Sequence, residues 1–288
     1  MTRHRLVRRV FTGTAVLAVL VMATPVLSQQ PPGQSQEQLA RDILALAWQR
    51  GPTEGRVGSL ASVKVPEGQA FLDGPNTRRF LELNRNPPRD NHYTLSAQDF
   101  SWFAVFYFED TGYIKDDEKL DPDALLKSLK ESDAPSNKER ERLGMPPIYT
   151  EGWSVAPHYD LNTRRLEWGV RLRSGSGRSV VNYTTRILSR RGAMHVTLVS
   201  DPESLDQHIA VFKTSLTGYD FVPGERYAEF RSGDRVAQFG LGALVLGGAA
   251  AVAVKTGAGK ALGKFLIYGA VAAGGTILAF LRKLFRRG

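Results

Sequence analysis

The chain of 288 residues contains no cysteine. That excludes a disulfide-stapled mini-domain and every zinc site built on thiolates. It leaves the fold indifferent to redox state and does not identify a compartment. Acidic residues are absent from both ends. Residues 1–28 carry Arg3, Arg5, Arg8 and Arg9 and no acid, and residues 236–288 carry seven Lys or Arg and no acid. The stretch between them holds 27 basic and 29 acidic residues, so the overall charge of +9 belongs entirely to the ends. A basic excess confined to the flanks of apolar runs is the pattern of membrane targeting and anchoring. It excludes a nucleic-acid-binding face.

Other signatures are missing as well. The histidines are His4, His92, His158, His195 and His208, and none forms H-E-x-x-H. No metal and no cofactor is expected. G-x-S-x-G does not occur, and Gly175-Ser176-Gly177 sits in a turn between strands. Gly257-Ala258-Gly259-Lys260-Ala261 imitates a phosphate loop, but Val254 holds the first glycine position and Ala261 the Ser/Thr position. There is no internal repeat.

What is present at the N-terminus reads as a secretory signal. A basic start precedes an apolar run centred on Ala15 to Met22, then Pro25 and the small-residue site ending at Ser28. At the C-terminus two apolar segments, 236–254 and 265–281, each have about the length that crosses a ~30 Å hydrocarbon core. Both are rich in Gly and Ala, which lets membrane helices approach closely. They predict a helical hairpin in the membrane. A single span at 265–281, with 236–254 interfacial, is the other arrangement.

The expected organisation is therefore a signal peptide over 1–28, a linker and amphipathic helix over 29–59, an exported domain over 60–235 and an anchor over 236–288. Ser35 and Gln38 form a capping-box pair ahead of a helical face of Leu39, Ile43 and Leu46. Alternation predicts strands over 60–65 and 70–72. Asn76–Leu83 reads as a short helix. Trp102–Phe108 is apolar on both faces and reads as a central strand. Asp121-Pro122-Asp123 opens a helix through Lys130, and Ser136–Leu143 is a second, mostly charged helix.

Four strands follow, over about 148–159, 165–173, 179–189 and 193–199. Turn residues 160–163, 175–177 and 190–192 separate them. Asp201-Pro202 starts a helix with Leu205, Ile209 and Phe212 on one face, and Tyr219–Phe221 adds an edge strand. Helices before and after an antiparallel meander predict an α+β fold: a meander sheet with flanking helices, plus C-terminal transmembrane helical segments. This order resembles the sandwich of the photosystem oxygen-evolution protein family.

The candidate functional surface is drawn from two segments. Glu109–Asp117 places polar residues directly after the central strand, where a rigid sheet can present a loop. Glu151–Tyr159 forces Gly152, Trp153, Pro157 and Tyr159 into one strand, a poor choice for sheet stability alone. Asp110, Tyr113, Asp116, Asp117, Glu151, Trp153 and Tyr159 are therefore expected to form one partner-binding patch. The acidic run 116–123 lacks the spacing of a calcium loop and reads as solvated. The remaining aromatics on the strands read as sheet packing.

Several motifs in fixed order resemble a known family. They are Trp48-Gln49-Arg50-Gly51-Pro52, Phe71 to Arg79 with Asn86-Pro87-Pro88, Gly112 to Asp117, Gly152-Trp153 with Pro157 to Asp160, Asn182-Tyr183, Arg191-Gly192, and the closing Lys283 to Arg287. Together they resemble the bacterial membrane-anchored family catalogued as domain of unknown function 2167. The resemblance spans about residues 40–288. It implies a bacterial membrane-anchored protein and no activity; the N-terminal signal and the apolar tail place the expected protein in the bacterial inner membrane with its domain on the periplasmic side. The expected role is a binding or scaffolding module, with the lipid bilayer and another membrane or envelope protein as partners. An enzyme acting on envelope material and an accessory subunit of a membrane complex are the alternatives.

Overall fold

A computed structural model describes residues 35–247 apart from 85, 87, 176 and 178. The expected signal peptide and the segment 265–281 lie outside the described residues. Among the described residues no helix is long and apolar enough to cross a membrane.

The first helix, α1 (Gln36–Leu44), is capped as the sequence predicts. Ser35 Oγ accepts a hydrogen bond from the Gln38 N–H at 3.1 Å, and Ala40 and Ile43 are buried. The chain then runs through β1 (Gln49–Arg50), β2 (Thr53–Val57), β3 (Ala61–Val65) and β4 (Gln69–Leu72). Helix α2 (Gly74–Leu83) is capped by Asp73, with Pro75 in its first turn. Strands β5 (His92–Ala97) and β6 (Phe103–Glu109) follow, then α3 (Pro122–Glu131) and α4 (Asp133–Arg142). The meander is β7 (Ile148–Asp160), β8 (Arg165–Ser174), β9 (Ser179–Leu188) and β10 (Ala193–Ser200). Helix α5 (Leu205–Leu216), β11 (Tyr219–Phe221) and α6 (Leu241–Val245) complete the described chain.

Eight strands form one sheet in the order β1-β4-β5-β6-β10-β9-β8-β7, antiparallel at every step. A second sheet of three has the order β11-β3-β2. Strands β3 and β4 are adjacent in the chain yet belong to different sheets, so the turn at Pro66-Glu67-Gly68 carries the chain between layers. Gly55 of β2 makes the layers close: a Cβ there would sit 2.6 Å from the Phe71 ring.

The large sheet has two chemically different faces. On one, Phe106, Tyr183, Met194, Val196 and Leu198 pack against the small sheet and Phe212 and Leu216 of α5 in a continuous apolar core. On the other, two separate clusters form. Phe103, Val105 and Val199 lie with Ala40 and Ile43 of α1 and Phe80 and Leu81 of α2. Leu166, Trp168, Val170 and Leu172 lie with Leu125 of α3 and Leu241, Leu244 and Val245 of α6. Strand alternation puts a polar tract between these clusters, and the site described below occupies it.

Two expected boundaries move. A domain start at residue 60 falls in the turn between β2 and β3, which pair along their length. The apolar segment expected to begin a membrane anchor at 236 begins inside the domain. Val236 bridges to Tyr113, and Leu241, Leu244 and Val245 are buried beside Ile114 and Trp168. The cause is physical. An uncharged apolar run satisfies a protein core as well as it satisfies lipid, and composition alone does not separate the two.

Candidate functional site

The structure distributes the sequence-predicted residues over several places. Asp116 and Tyr159 meet: the Tyr159 hydroxyl donates to Asp116 at 2.9 Å, and Arg164 donates to the same carboxylate. Tyr113 lies in the same neighbourhood, stacked on Tyr227 at 4.4 Å between ring centroids and against Phe230. Trp153 Nε1 donates to the Pro122 carbonyl at 3.0 Å, which ties β7 to the start of α3. Asp110 is exposed between the Arg191 and Arg235 guanidiniums. Glu151 is eight residues from Tyr159 on β7, roughly 25 Å along an extended strand. It accepts from Ser179 Oγ and faces Arg173. Asp117 points to solvent.

The Asp116 cluster is internally satisfied. Burial raises the Asp116 carboxyl, but hydrogen bonds from Tyr159 and Arg164 outweigh it and hold the group below its ordinary value. Asp116→Ala is expected to cost about 1 kcal/mol of stability, because two donors lose a charged acceptor. Asp117→Ala is expected to stay within about 0.5 kcal/mol. Unfolding midpoints of the two single variants check this; equal midpoints would mean that the Asp116 bonds contribute nothing.

A deeper feature lies elsewhere, on the polar tract of the large sheet. Register places His92 of β5 opposite Tyr107 of β6, Tyr107 opposite His195 of β10, and His195 opposite Arg186 of β9. The four side chains form one cross-strand row. His92 stacks on Tyr107 at 4.8 Å, and Tyr107 lies 4.4 Å from the His195 ring. The Arg186 guanidinium turns toward β8 and sits 5.0 Å over the Trp168 ring. A cavity of about 450 Å³ opens over this row.

The α3–α4 hairpin and α6 roof the cavity. Asn137 pins α4 to β7 by donating to the Ile148 carbonyl and accepting from its N–H, both at 2.8 Å. Asp133 accepts from the Thr150 N–H at 2.7 Å and from its hydroxyl at 2.9 Å. Arg140, 2 % exposed, donates from Nε to the Pro146 carbonyl at 2.6 Å, while its Nη2 has no hydrogen-bond partner. At the opposite wall, Gly192 lets the β9–β10 turn close on the end of β6. A Cβ at that position would lie 2.0 Å from the Glu109 carbonyl oxygen. The Glu109 carboxylate lies beside His195, with Oε2 3.0 Å from Nε2.

The electrostatics of the row follow from burial. Arg186 is 4 % exposed, and its Nε and Nη1 have no hydrogen-bond partner. Burial holds it below its ordinary value, by more than Tyr107 and Glu109 raise it. His195 is fully buried and lowered to about 4, first by burial and then by Arg186, against the opposing pull of Glu109. His92 is also lowered to about 4, chiefly by burial, with Arg89 adding to it. Burial raises Tyr107. At neutral pH both rings are uncharged, so the unsatisfied positive charge of the row is the Arg186 guanidinium. The nearby acids are engaged elsewhere: Asp90 pairs with Arg78 at 2.6 Å, Asp133 holds Thr150, and Glu109 sits against His195.

None of the sequence-predicted residues lines this cavity. Its own residues carried one readable signal, an arginine in the middle of a strand buried on both faces. Residues 181–188 are all buried, and Arg186 is the only charged residue among them. Chemically, the cavity offers hydrogen-bond donors and positive charge to an acceptor-rich group. Among the described residues no group of His, Asp and Glu is arranged to hold a metal ion.

No curated protein matches the chain. Among solved structures, the chain is similar to cyanobacterial PsbP (CyanoP) from Synechocystis at 12 % identity and a TM-score of 0.33, covering 58 % of this chain and 96 % of that one. It is similar to the Ran-binding protein Mog1p of Saccharomyces cerevisiae at 11 % identity and a TM-score of 0.34, covering 62 % and 98 %. The family described as protein of unknown function (DUF2167) matches over residues 49–280, and the chain belongs to that family.

Proposed function

We propose that this chain is a membrane-tethered binding module whose α+β domain takes a ligand into the cavity over Arg186. The basic N-terminal run with its small-residue site, and the apolar, acid-free C-terminus, support export to the periplasmic side of a bacterial inner membrane. One observation carries the binding role: a guanidinium 4 % exposed, with two nitrogens lacking partners, beside a cavity of about 450 Å³. A buried donor left unpaired costs about 1–3 kcal/mol, more when charged. Nε and Nη1 are closed off, so a ligand acceptor in the cavity meets the guanidinium at Nη2 and offsets part of the cost of the buried charge, adding to the favourable fields of Tyr107 and Glu109.

A second reading, an enzyme acting on envelope material, is favoured by the convergence of ionisable groups in this one deep pocket. Tyr107 and Glu109 line it, and His195 backs Glu109 at 3.0 Å. That reading requires Glu109 as well as Arg186.

The absence of cysteine makes the binding reading directly testable. Thr184, on the cavity floor next to Trp168 in the register, is replaced in the full chain by Thr184→Cys, giving a single thiol. Modification rates with an ethylsulfonate and a trimethylammonium methanethiosulfonate reagent are compared, each normalised to a free thiol. The anionic reagent is expected to be favoured about tenfold or more, because a low-dielectric wall focuses the Arg186 field. Adding Arg186→Gln should bring the ratio toward one. A thiol that neither reagent reaches, or a preference for the cation, would overturn the reading.

A further inference from the structure

The cavity is chemically divided, and strand order draws the division. Its β5, β6 and β9 side presents His92, Tyr107, Glu109 and Arg186, whereas its β8 side presents Trp168, Val170 and Leu172. The roof is apolar where Leu129 of α3, Ile148 of β7, and Val245 and Leu246 line it, and polar along α4, where Asp133 and Asn137 are bound to β7 and Arg140 to the Pro146 carbonyl. Arg186 stands at the seam, because its guanidinium lies over the Trp168 ring rather than in the middle of the polar row. A small inorganic anion would satisfy the guanidinium and leave the β8 half filled with water against apolar walls. A purely apolar ligand would fill that half and leave the Arg186 donors unpaired. Neither satisfies both halves.

From this geometry we infer that the ligand is an amphiphile with one anionic head, a carboxylate or phosphate, and an unbranched apolar chain. The inference rests on the binding reading above. The head accepts charge-assisted hydrogen bonds from Arg186, and the chain runs along Trp168, Val170 and Leu172 under α6. The volume limits the size. At roughly 30 Å³ per small heavy group, the cavity holds on the order of fifteen non-hydrogen atoms. A chain of about eight to ten carbons with its head fills it. Free carboxylates and phosphorylated alcohols share this chemistry, and the probes below distinguish them.

The test uses the full chain in uncharged detergent micelles, with thermal midpoints read against butyrate, hexanoate, octanoate, octyl phosphate, octanol and inorganic phosphate. Apparent affinity is expected to rise about fourfold per added methylene from butyrate to octanoate, the value of burying one CH₂. Octyl phosphate and octanoate should both far exceed inorganic phosphate and octanol; whichever of the two is tighter identifies the head. Arg186→Gln should abolish the response to the octyl anions. Val170→Phe, which fills the apolar half from the β8 wall, should flatten the chain-length series while leaving the protein folded. Its own melting transition reports that.

Phosphate matching octyl phosphate, with no chain-length dependence, would overturn the amphiphile and leave the binding reading in place. Octanol matching octanoate, with no effect of Arg186→Gln, would overturn the anionic head. If no probe shifts the midpoint while the Thr184→Cys thiol still prefers the anionic reagent, this inference fails and the binding reading stands. If the thiol preference is absent as well, both fail.

Discussion

Lowering the pH from 7 to 4 is expected to cost the fold about 3 kcal/mol through His195 alone. The ring has no exposed surface and is held near 4 by burial first and Arg186 second. In the unfolded chain it titrates near the ordinary 6.5. Between those two values the unfolded chain takes up a proton that the folded chain refuses, so stability falls as pH falls through that window. Above about 6.5 neither state is protonated and the effect is absent; below about 4 the loss is complete. A displacement of this size corresponds to about 3 kcal/mol at roughly 1.4 kcal/mol per pH unit. The groups facing His195 explain why the fold does not relieve it. Tyr107 covers one side of the ring, Arg186 opposes it from β9, and His92, also lowered to about 4, lies beyond Tyr107. Glu109 at 3.0 Å is the single favourable charge, and burial and Arg186 outweigh it. Unfolding free energies of the full chain at several pH values, with and without His195→Gln, isolate the contribution. The variant should lose about 3 kcal/mol less than the wild type over the window. Identical slopes would mean that His195 is protonated inside the fold or does not titrate there.

The same row shows where reading a chain by pattern succeeds and stops. The meander was legible because its turns are written in residues 160–163, 175–177 and 190–192, and its strands match the structure to within a residue or two. The central strand was legible from its unbroken apolar run, and α3 from Asp121, whose side chain accepts from the Asp123 and Ala124 N–H groups. Strand β5 escaped because His92 to Ala97 alternates polar and small residues, with Leu95 the only large aliphatic side chain. Without β5 the partner of Tyr107 is missing. The cavity itself depends on register: residues 92, 107, 186 and 195 come from four strands and converge only when each pairing is in phase. A one-residue slip would send any of them to the opposite face. The loop Glu109–Asp117 and the strand segment Glu151–Tyr159 are awkward in sequence for local reasons. The structure accounts for most of that awkwardness by internal bonds, such as Tyr159 to Asp116 and Trp153 to Pro122.

Replacing Arg186 by Met is expected to stabilise the ligand-free protein by about 2 kcal/mol. A methionine keeps an aliphatic stem over Trp168 and removes a charge whose Nε and Nη1 the fold buries without hydrogen-bond partners. The stacking of a guanidinium on an indole contributes about 0.5–2 kcal/mol, which is less than the several kcal/mol of desolvating a cation. The direction of the Arg186 shift agrees, since burial outweighs the two groups that favour the charged form. Residues that cost stability and are held rigidly beside a cavity are the ones function retains. For the full chain at pH 7 without added ligand, 2 kcal/mol corresponds to a midpoint roughly 5 °C higher. The comparison of wild-type and Arg186→Met melting under those conditions is therefore the most direct measurement of whether Arg186 serves a ligand or the fold. A midpoint raised by several degrees is the expected result, and a midpoint lowered by several degrees would show that Arg186 is a structural residue and that the cavity was not built around it.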